Sequence, residues 1–257
     1  MPYLSRVRIN PLRESGRRLL RNPHVAHAMV LGGIAEQPVR ERVLWRLETT
    51  NPRRPELLIL TESRPDWNHI IEQAGWSNAD GEQVVVRDYS PLFAQLAVGR
   101  EFAFRLTANP VQHTRKPEKL TPAQERKLAS DQGEKPRSGR AFRVGHRTAA
   151  HQLDWLLRRT PSWGFEIPVV AGFATPDDGE PADVPRDVRI VARQVHRFHK
   201  GTNGPQVVLA TATFEGRLRV TDPDLLAEKL LSGVGPAKAY GCGLLTLAPL
   251  PGARHHA

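Results

Sequence analysis

The stretch Glu101-Phe-Ala-Phe-Arg-Leu-Thr107 places Phe, Phe and Leu at every second position. This period of two is typical of a β-strand that buries one of its two sides. Working outward toward the N-terminus, the sequence predicts strands at 3–9, 42–48 and 56–61 and helices at 23–31 and 65–73. With 101–107 as the last strand, the order is β-α-β-β-α-β, which is that of a ferredoxin-like unit.

The C-terminal half predicts a second unit of the same kind. Its helices are expected at 146–159 and 223–231, the second of them capped by Asp222, and its strands at 165–171, 188–198, 206–214 and 244–247. The sequence therefore predicts an α+β protein with two tandem ferredoxin-like (βαββαβ) domains, an N-terminal one at 1–110 and a C-terminal one at 146–257.

The segment between the two halves differs in composition. Residues 109–147 contain ten Lys or Arg, four prolines and a single aromatic residue, Phe142. Such a segment buries too little apolar surface to offset its ordering entropy. We expect 111–145 to be a basic flexible segment that joins the domains, either as a solvated linker or as a loop that contacts RNA.

The overall charge favours a polyanionic partner. The 257 residues contain 37 Lys plus Arg against 27 Asp plus Glu, a formal net charge of +10, which favours nucleic acid. A generally basic enzyme from an Arg-rich proteome is the alternative. The single cysteine, Cys242, excludes an intrachain disulfide and a zinc knuckle. The sequence has neither a long apolar stretch nor a signal-peptide core, so we expect a cytoplasmic protein without membrane contact.

The first candidate site is the run Asn22-Pro-His-Val-Ala-His27, at the start of the first predicted helix. His24 and His27 are three residues apart and so share a helix face, near N–H groups that attract phosphate. The helix N-terminus lowers a histidine pKa and a bound phosphate raises it, which suits acid–base catalysis near neutral pH. The spacing leaves open that both are ordinary surface or core histidines. No metal is expected, because further ligands are missing from the same turn.

The second candidate site is the glycine-rich run 233–243, which separates the last helix from the last strand. Its sequence lacks the spacing of a Walker loop and of a dinucleotide fingerprint. Glycines allow a close approach to a ligand backbone, and a lysine adds positive charge. The residues expected to contact RNA here are Gly233, Gly235, Lys238, Gly241 and Gly243. A plain helix-to-strand connection is the alternative.

The third candidate site is the hairpin predicted from 188 to 214. Arg189, Arg193 and Arg197 are even steps apart, so in an unbroken strand they share one face, and Lys200 follows in the turn. A row of cations along a ribbon suits the phosphates of a helical nucleic acid. A solvated strand face explains the same pattern equally well.

Taken together, these segments resemble the CasE-type CRISPR precursor-RNA endoribonucleases of type I-E systems. The resemblance runs nearly end to end and is carried by seven segments in order: the opening strand 3–9, then 21–27, 44–47, 65–67, 102–110, 214–218 and 233–245.

The resemblance implies metal-independent cleavage of CRISPR repeat RNA at the 3′ base of its stem-loop. In this reaction the 2′-OH attacks the neighbouring phosphate, and the products carry a 2′,3′-cyclic phosphate and a 5′-OH; no cofactor takes part. The resemblance also implies that His27 is catalytic. His24 takes a position where relatives commonly have tyrosine. Arg21 and Arg217 lie in matched segments and join the expected RNA-binding residues. The implied partners are the repeat stem-loop, retained after cleavage, and the other subunits of the type I-E Cascade complex. The alternative is a non-catalytic RNA-binding subunit of a ribonucleoprotein.

Overall fold

A four-stranded antiparallel sheet forms the N-terminal unit. The computed structural model describes residues 1–77, 79, 81–114, 142–170, 184–201 and 204–250. The strands are β1 (Tyr3–Arg8), β2 (Leu44–Glu48), β3 (Glu56–Thr61) and β4 (Val84–Asp88), and the helices are α1 (Glu14–Arg21), α2 (Pro23–Leu31) and α3 (Asn68–Ala74). The strand order β2-β3-β1-β4 is that of a ferredoxin-like unit.

A second antiparallel sheet forms the C-terminal unit. The short helix α4 (Ser90–Phe93) precedes this sheet. The strands of the sheet are β5 (Glu101–Ala108), β8 (Phe165–Glu166), β9 (Val188–His199), β10 (Gln206–Val220) and β11 (Leu245–Ala248). Two further strands, β6 (Val111–Thr114) and β7 (Phe142–Gly145), form a separate small hairpin. The helices are α5 (Ala149–Leu157) and α6 (Pro223–Ser232), with short 3-10 turns at Thr160–Trp163 and Lys238–Tyr240. The sheet order is β11-β5-β10, with β8 and β9 both paired to the other side of β10. The α+β class is confirmed.

The strand predicted at 101–107 is β5 and belongs to the second sheet, so the predicted domain boundary at 110 is wrong. β5 pairs with β10 and β11, and Phe102 lies opposite Leu218. The first sheet is completed instead by β4, which pairs with β1. The physical reason is packing, because Phe102, Phe104 and Leu106 are buried in the core of the second unit.

The basic segment therefore does not join the two units. It leaves β5 and returns to α5, both within the second unit, and β6 pairs with β7 from Val111 opposite Gly145 to Thr114 opposite Phe142. The expectation that 111–145 is flexible concerns mainly residues 115–141, which lie outside the described residues. In the ranges that are described, no helix is both long and apolar enough to span a membrane.

Local sequence signals explain where the helices begin. The Asn22 side chain accepts a hydrogen bond from the His24 N–H at 3.0 Å, and Pro23 occupies the first turn of α2. Asp222 caps α6 in the same way, through the Leu225 N–H at 3.0 Å. α2 buries Ala26 and Val30 in the core of the first unit, and α6 buries Leu226 and Leu230 in the core of the second. Each fully buried large side chain contributes about 1.5–3 kcal/mol.

The two units meet where β2 packs against the glycine-rich loop 233–243. Gly241 has φ of +78°, and a Cβ there would lie 2.7 Å from the Trp45 ring. Gly233 has φ of +74°, and a Cβ there would lie 2.6 Å from Leu44. The loop therefore needs glycine for conformation and for closeness to β2.

Gly241→Ala should destabilise the protein more than Gly99→Ala. Both glycines have positive φ, but a Cβ added at Gly99 would have no atom within 4 Å. The loss of unfolding free energy in Gly99→Ala therefore measures only the cost of the positive φ. Crowding against Trp45 should add about 1–3 kcal/mol to the loss of unfolding free energy at Gly241. Urea denaturation of both variants measures the difference, and equal losses would show that the loop moves away from Trp45 without cost.

Candidate active site and RNA interface

The histidine helix α2 presents His24 and His27 at the edge of the first core. Ala26 and Val30 of this helix are fully buried, which fixes its orientation on the sheet. Both histidines are half-buried. The Nδ1 atom of His27 is buried and has no hydrogen-bond partner among the described residues. Within the same residues, no group of three His, Cys, Asp or Glu side chains suits a metal ion.

The electrostatic environment of His27 favours the neutral imidazole. Burial lowers the pKa of His27 below its ordinary value of 6.5, and the nearby charge of His24 lowers that pKa further. An imidazole that is neutral at pH 7 can accept a proton. His27 is therefore suited to act as a general base.

The histidine helix lies where elements of both units come together. Cα atoms of α2 approach within 8 Å those of the Lys238–Tyr240 turn and those of β9. The Tyr240 ring packs edge-on against Phe198 of β9, with ring centroids 5.0 Å apart. The ammonium group of Lys200 lies 6.0 Å from the Tyr240 ring centroid. The turn thus links the histidine helix to the tip of the hairpin.

The glycines of the loop serve mainly to shape it. The Gly233 N–H donates to the Lys229 carbonyl at 2.9 Å, and the Gly243 N–H donates to the Thr107 carbonyl at 2.8 Å. Protein carbonyls already occupy these two N–H groups, so a contact of Gly233 or Gly243 with RNA would use other atoms, and it stays a prediction. Gly241 is buried beneath Trp45. Gly235 is half-buried beside Trp155, and its RNA contact stays a prediction.

Lys238 lies in a crowded group of cations. Its aliphatic stem runs along the loop, with Cε 3.0 Å from the position of a Cβ on Gly233. Burial lowers the pKa of Lys238, and the neighbouring charges of Arg42 and Lys229 lower it further. Like charges held together in this way are relieved by an anion. Arg42 was missed from sequence, since nothing in its local pattern places it beside a loop two hundred residues away.

The hairpin does not carry its arginines in one row. Ile190 lies opposite Phe214 and Ala192 opposite Thr213, so Val191 is an extra residue and forms a β-bulge. Beyond this bulge the side-chain alternation is reversed. Arg189 is therefore on the opposite face from Arg193 and Arg197, and the predicted shared face is wrong.

Three of the predicted RNA-binding arginines are held by protein groups. Arg189 pairs with Glu215 at 3.2 Å, and the Arg193 Nε donates to the Gln152 side chain at 2.9 Å and its Nη2 to the Arg147 carbonyl. Arg217 bridges Asp187 at 3.0 Å and Glu101 at 3.3 Å.

The remaining predicted cations are available for a ligand. Arg21, Arg197 and Lys200 are exposed, and none of them forms an ion pair in the part of the chain that is described. Arg21 ends α1 just before the histidine helix, while Arg197 and Lys200 lie toward the tip of the hairpin. Both α1 and β9 have Cα atoms within 8 Å of Cα atoms of the histidine helix.

Sequence comparison identifies the family of this chain. The model of the family described as "CRISPR associated protein" matches residues 2–249. This chain belongs to that family. CRISPR-associated endoribonuclease Cse3 from Thermus thermophilus is 30% identical over 251 residues, which cover 96% of this chain and 100% of the relative. CRISPR system Cascade subunit CasE from Escherichia coli (strain K12) is 29% identical over 213 residues, covering 80% and 89%.

Solved structures of the family share the fold. The structure of CRISPR endoribonuclease Cse3 bound to 19 nt RNA has a TM-score of 0.67 and 28% identity, and covers 96% of this chain and 99% of that one. Thermus thermophilus Cse3 bound to an RNA that represents a pre-cleavage complex has a TM-score of 0.67, 26% identity and the same coverage. The resemblance to CasE-type endoribonucleases is thereby confirmed.

The pKa of His27 should be measurably depressed in the RNA-free protein. We expect it below 6.5 because burial and His24 both disfavour the imidazolium. Exchanging His24 for Ala removes one cause, so the His27 pKa should rise while staying below 6.5. Two-dimensional NMR titration of the imidazole signals tests both statements. A value at or above 6.5 in the wild type would contradict the assignment of His27 as a neutral base.

Proposed function

We propose that this chain is a metal-independent endoribonuclease that cleaves CRISPR repeat RNA at the 3′ base of its stem-loop. Attack by the 2′-OH leaves a 2′,3′-cyclic phosphate and a 5′-OH. The observation that carries the proposal is a half-buried histidine with a depressed pKa where α2, the glycine-rich loop and the hairpin meet. The relative Cse3 is named an endoribonuclease, and its solved structures hold RNA.

His27 is the general base in the proposed reaction. Neutral His27 takes the proton of the 2′-OH, and the 2′ oxygen forms a bond to phosphorus as the bond from phosphorus to the 5′ oxygen breaks. The departing 5′ oxygen requires a proton, and we assign this transfer to His24, which lies on the same helix face. The pair thus divides the two proton transfers between adjacent imidazoles.

Lys238 and its neighbouring cation stabilise the transition state in the proposed mechanism. Negative charge builds on the phosphoryl oxygens in the transition state, and preorganised cations stabilise it. α2 itself contains no Lys or Arg. Lys238 and Arg42 lie together beside the glycine-rich loop, whose Lys238–Tyr240 turn approaches α2, and they are the candidates for this charge.

The exposed cations bind the stem in the proposed complex. Arg21, Arg197 and Lys200 contact phosphates rather than base edges, because the major groove of A-form RNA is too narrow to read. These contacts remain when the bond at the stem base is cut. We therefore propose that the protein stays bound to the mature guide RNA in the cytoplasm. E. coli CasE is named a Cascade subunit, which supports the other subunits of a type I-E Cascade complex as partners.

His27→Ala should abolish cleavage while leaving stem-loop affinity within a few-fold of wild type. General acid–base help is commonly worth about 10²–10⁴ in rate, so the single-turnover rate should fall by at least 10². Affinity is measured with RNA that carries a 2′-deoxy nucleotide before the scissile phosphate, which should itself resist cleavage. His69→Ala is the matched control, because its ring contacts the same helix through the Met29 carbonyl and has no role in the proposed reaction.

Four outcomes would reject the proposed chemistry or the proposed activity. A His27→Ala rate within about tenfold of wild type would remove His27 from the mechanism. A product ending in a 3′-OH, or loss of cleavage in EDTA, would indicate a metal-activated water. If the wild type binds the stem-loop and never cuts it, the chain is a non-catalytic RNA-binding subunit.

Removing Arg197 and Lys200 together should weaken RNA binding more than removing Arg193. The first two side chains are exposed, whereas the Arg193 guanidinium already donates to Gln152 and Arg147. Each lost phosphate contact should lower the salt slope of log K by about 0.7–0.9. Fluorescence anisotropy across a salt series measures affinity and slope, and an unchanged slope in Arg197→Ala, Lys200→Ala would show that the stem lies elsewhere.

A further inference from the structure

Arg46 is an unusual residue of β2 because its guanidinium is almost completely buried between the two units, with 2% of the side chain exposed. Its Nη1 donates to the carbonyls of Arg105 and Leu244, each at 2.8 Å, and its Nη2 donates to Thr246 Oγ1 at 2.8 Å. Its Nε donates to Glu48 Oε1 at 2.7 Å. A side chain of the first sheet therefore holds two strands of the second.

The buried guanidinium of Arg46 fixes the arrangement of its partners more than it stabilises the fold. Burial lowers the pKa of Arg46, while the carboxylate of Glu48 raises it and compensates the charge. Buried ion pairs contribute little stability compared with apolar side chains of similar volume. The directional bonds of a guanidinium fork instead fix the partners in one arrangement. The bonds of Arg46 thus define how β2 sits on β5 and β11.

The element that Arg46 holds is the end of the glycine-rich loop. Leu244 directly follows Gly243, whose N–H donates to Thr107 of β5. The neighbours of Arg46 on β2 complete the contact, since Leu44 lies under Gly233 and Trp45 under Gly241. Three consecutive residues of β2 therefore seat the loop from its beginning to its end.

The same loop reaches the histidine helix. Its Lys238–Tyr240 turn has Cα atoms within 8 Å of both α2 and β2. α2 belongs to the first unit and the loop to the second, so their spacing depends on how the units are joined. Displacing a catalytic group by about 1 Å can cost about 10² in rate.

We propose that Arg46 is a positioning residue for cleavage: it fixes the glycine-rich loop of the second unit against the histidine helix of the first. The proposal rests on the function proposed above. Arg46 touches no RNA, because it is buried. It should act on the cleavage step, and the exposed cations that capture the stem should be unaffected.

The test compares four variants with the wild type. Arg46→Met keeps the length of the side chain and removes its donors, and Arg46→Lys keeps the charge without the fork. The double variant Arg46→Met, Glu48→Gln removes both charges of the buried pair, so it replaces the single variant in the test if Arg46→Met fails to fold. Arg219→Met is the matched control, because Arg219 pairs with Glu101 and Glu166 in the second sheet and is 44% exposed.

The expected result is a split between rate and affinity. Arg46→Met and the double variant should lower the single-turnover cleavage rate by tenfold or more, well below their melting temperatures. The Kd for 2′-deoxy RNA should stay within threefold, with Arg46→Lys intermediate in rate and Arg219→Met unchanged. Hydrogen exchange without RNA should become faster at the Val234 amide, which donates to the Gly243 carbonyl and closes the loop, and at the Gly243 amide, which donates to the Thr107 carbonyl of β5.

Three results would overturn the proposal. The first is a cleavage rate within threefold of Arg219→Met, and the second is a rate and an affinity that fall by the same factor. The third is unchanged exchange at Gly243 and Val234, which would show that the loop holds its place without Arg46. The exchange measurement needs neither RNA nor cleavage. A wild type that fails to cut would reject the proposed function, while the exchange data would still decide whether Arg46 positions the loop.

Discussion

The packing of β2 against the glycine-rich loop is the contact on which the candidate site depends. The histidines come from the first ferredoxin-like unit, and the loop and the hairpin come from the second. Neither unit contains the whole site. Positive φ at Gly233 and Gly241 lets the loop lie directly on Leu44 and Trp45, where any side chain would collide. Close packing without a Cβ is what allows two separately built cores to present one surface.

The strands of this fold were predictable, but their sheet was not. The alternation at 101–107 correctly predicted a strand with one buried side, because that signal is local. Which sheet a strand joins depends on its pairing partners, and alternation carries no information about them. The short run Val84–Asp88 has three consecutive valines and no alternation, so it was passed over. Once β4 closes the first sheet, β5 is free to lie at the centre of the second.

Some residues of the candidate site could likewise be predicted from local sequence signals, and others could not. His24 and His27 could be found from their spacing and from the cap at Asn22, since both signals lie within six residues. The hairpin arginines were misplaced because a single extra residue, Val191, reverses the side-chain alternation, and a bulge has no sequence signature here. Arg46 was missed among 37 basic residues. Its apolar neighbours were the available sign that this arginine is buried.

The distribution of charge, more than the net charge of +10, determines where RNA can lie. The face of the second sheet away from its helices carries four arginines, which are Arg105, Arg189, Arg217 and Arg219. Five carboxylates neutralise them through ion pairs of 2.6–3.3 Å, and these belong to Glu48, Glu101, Glu166, Asp187 and Glu215. A polyanion gains little from a surface whose charges are already paired. Arg21, Arg197 and Lys200 have no such partners among the described residues, and they lie on the elements that meet at the histidine helix. The acidic residues thus make this sheet face a poor surface for a polyanion, although it carries four arginines.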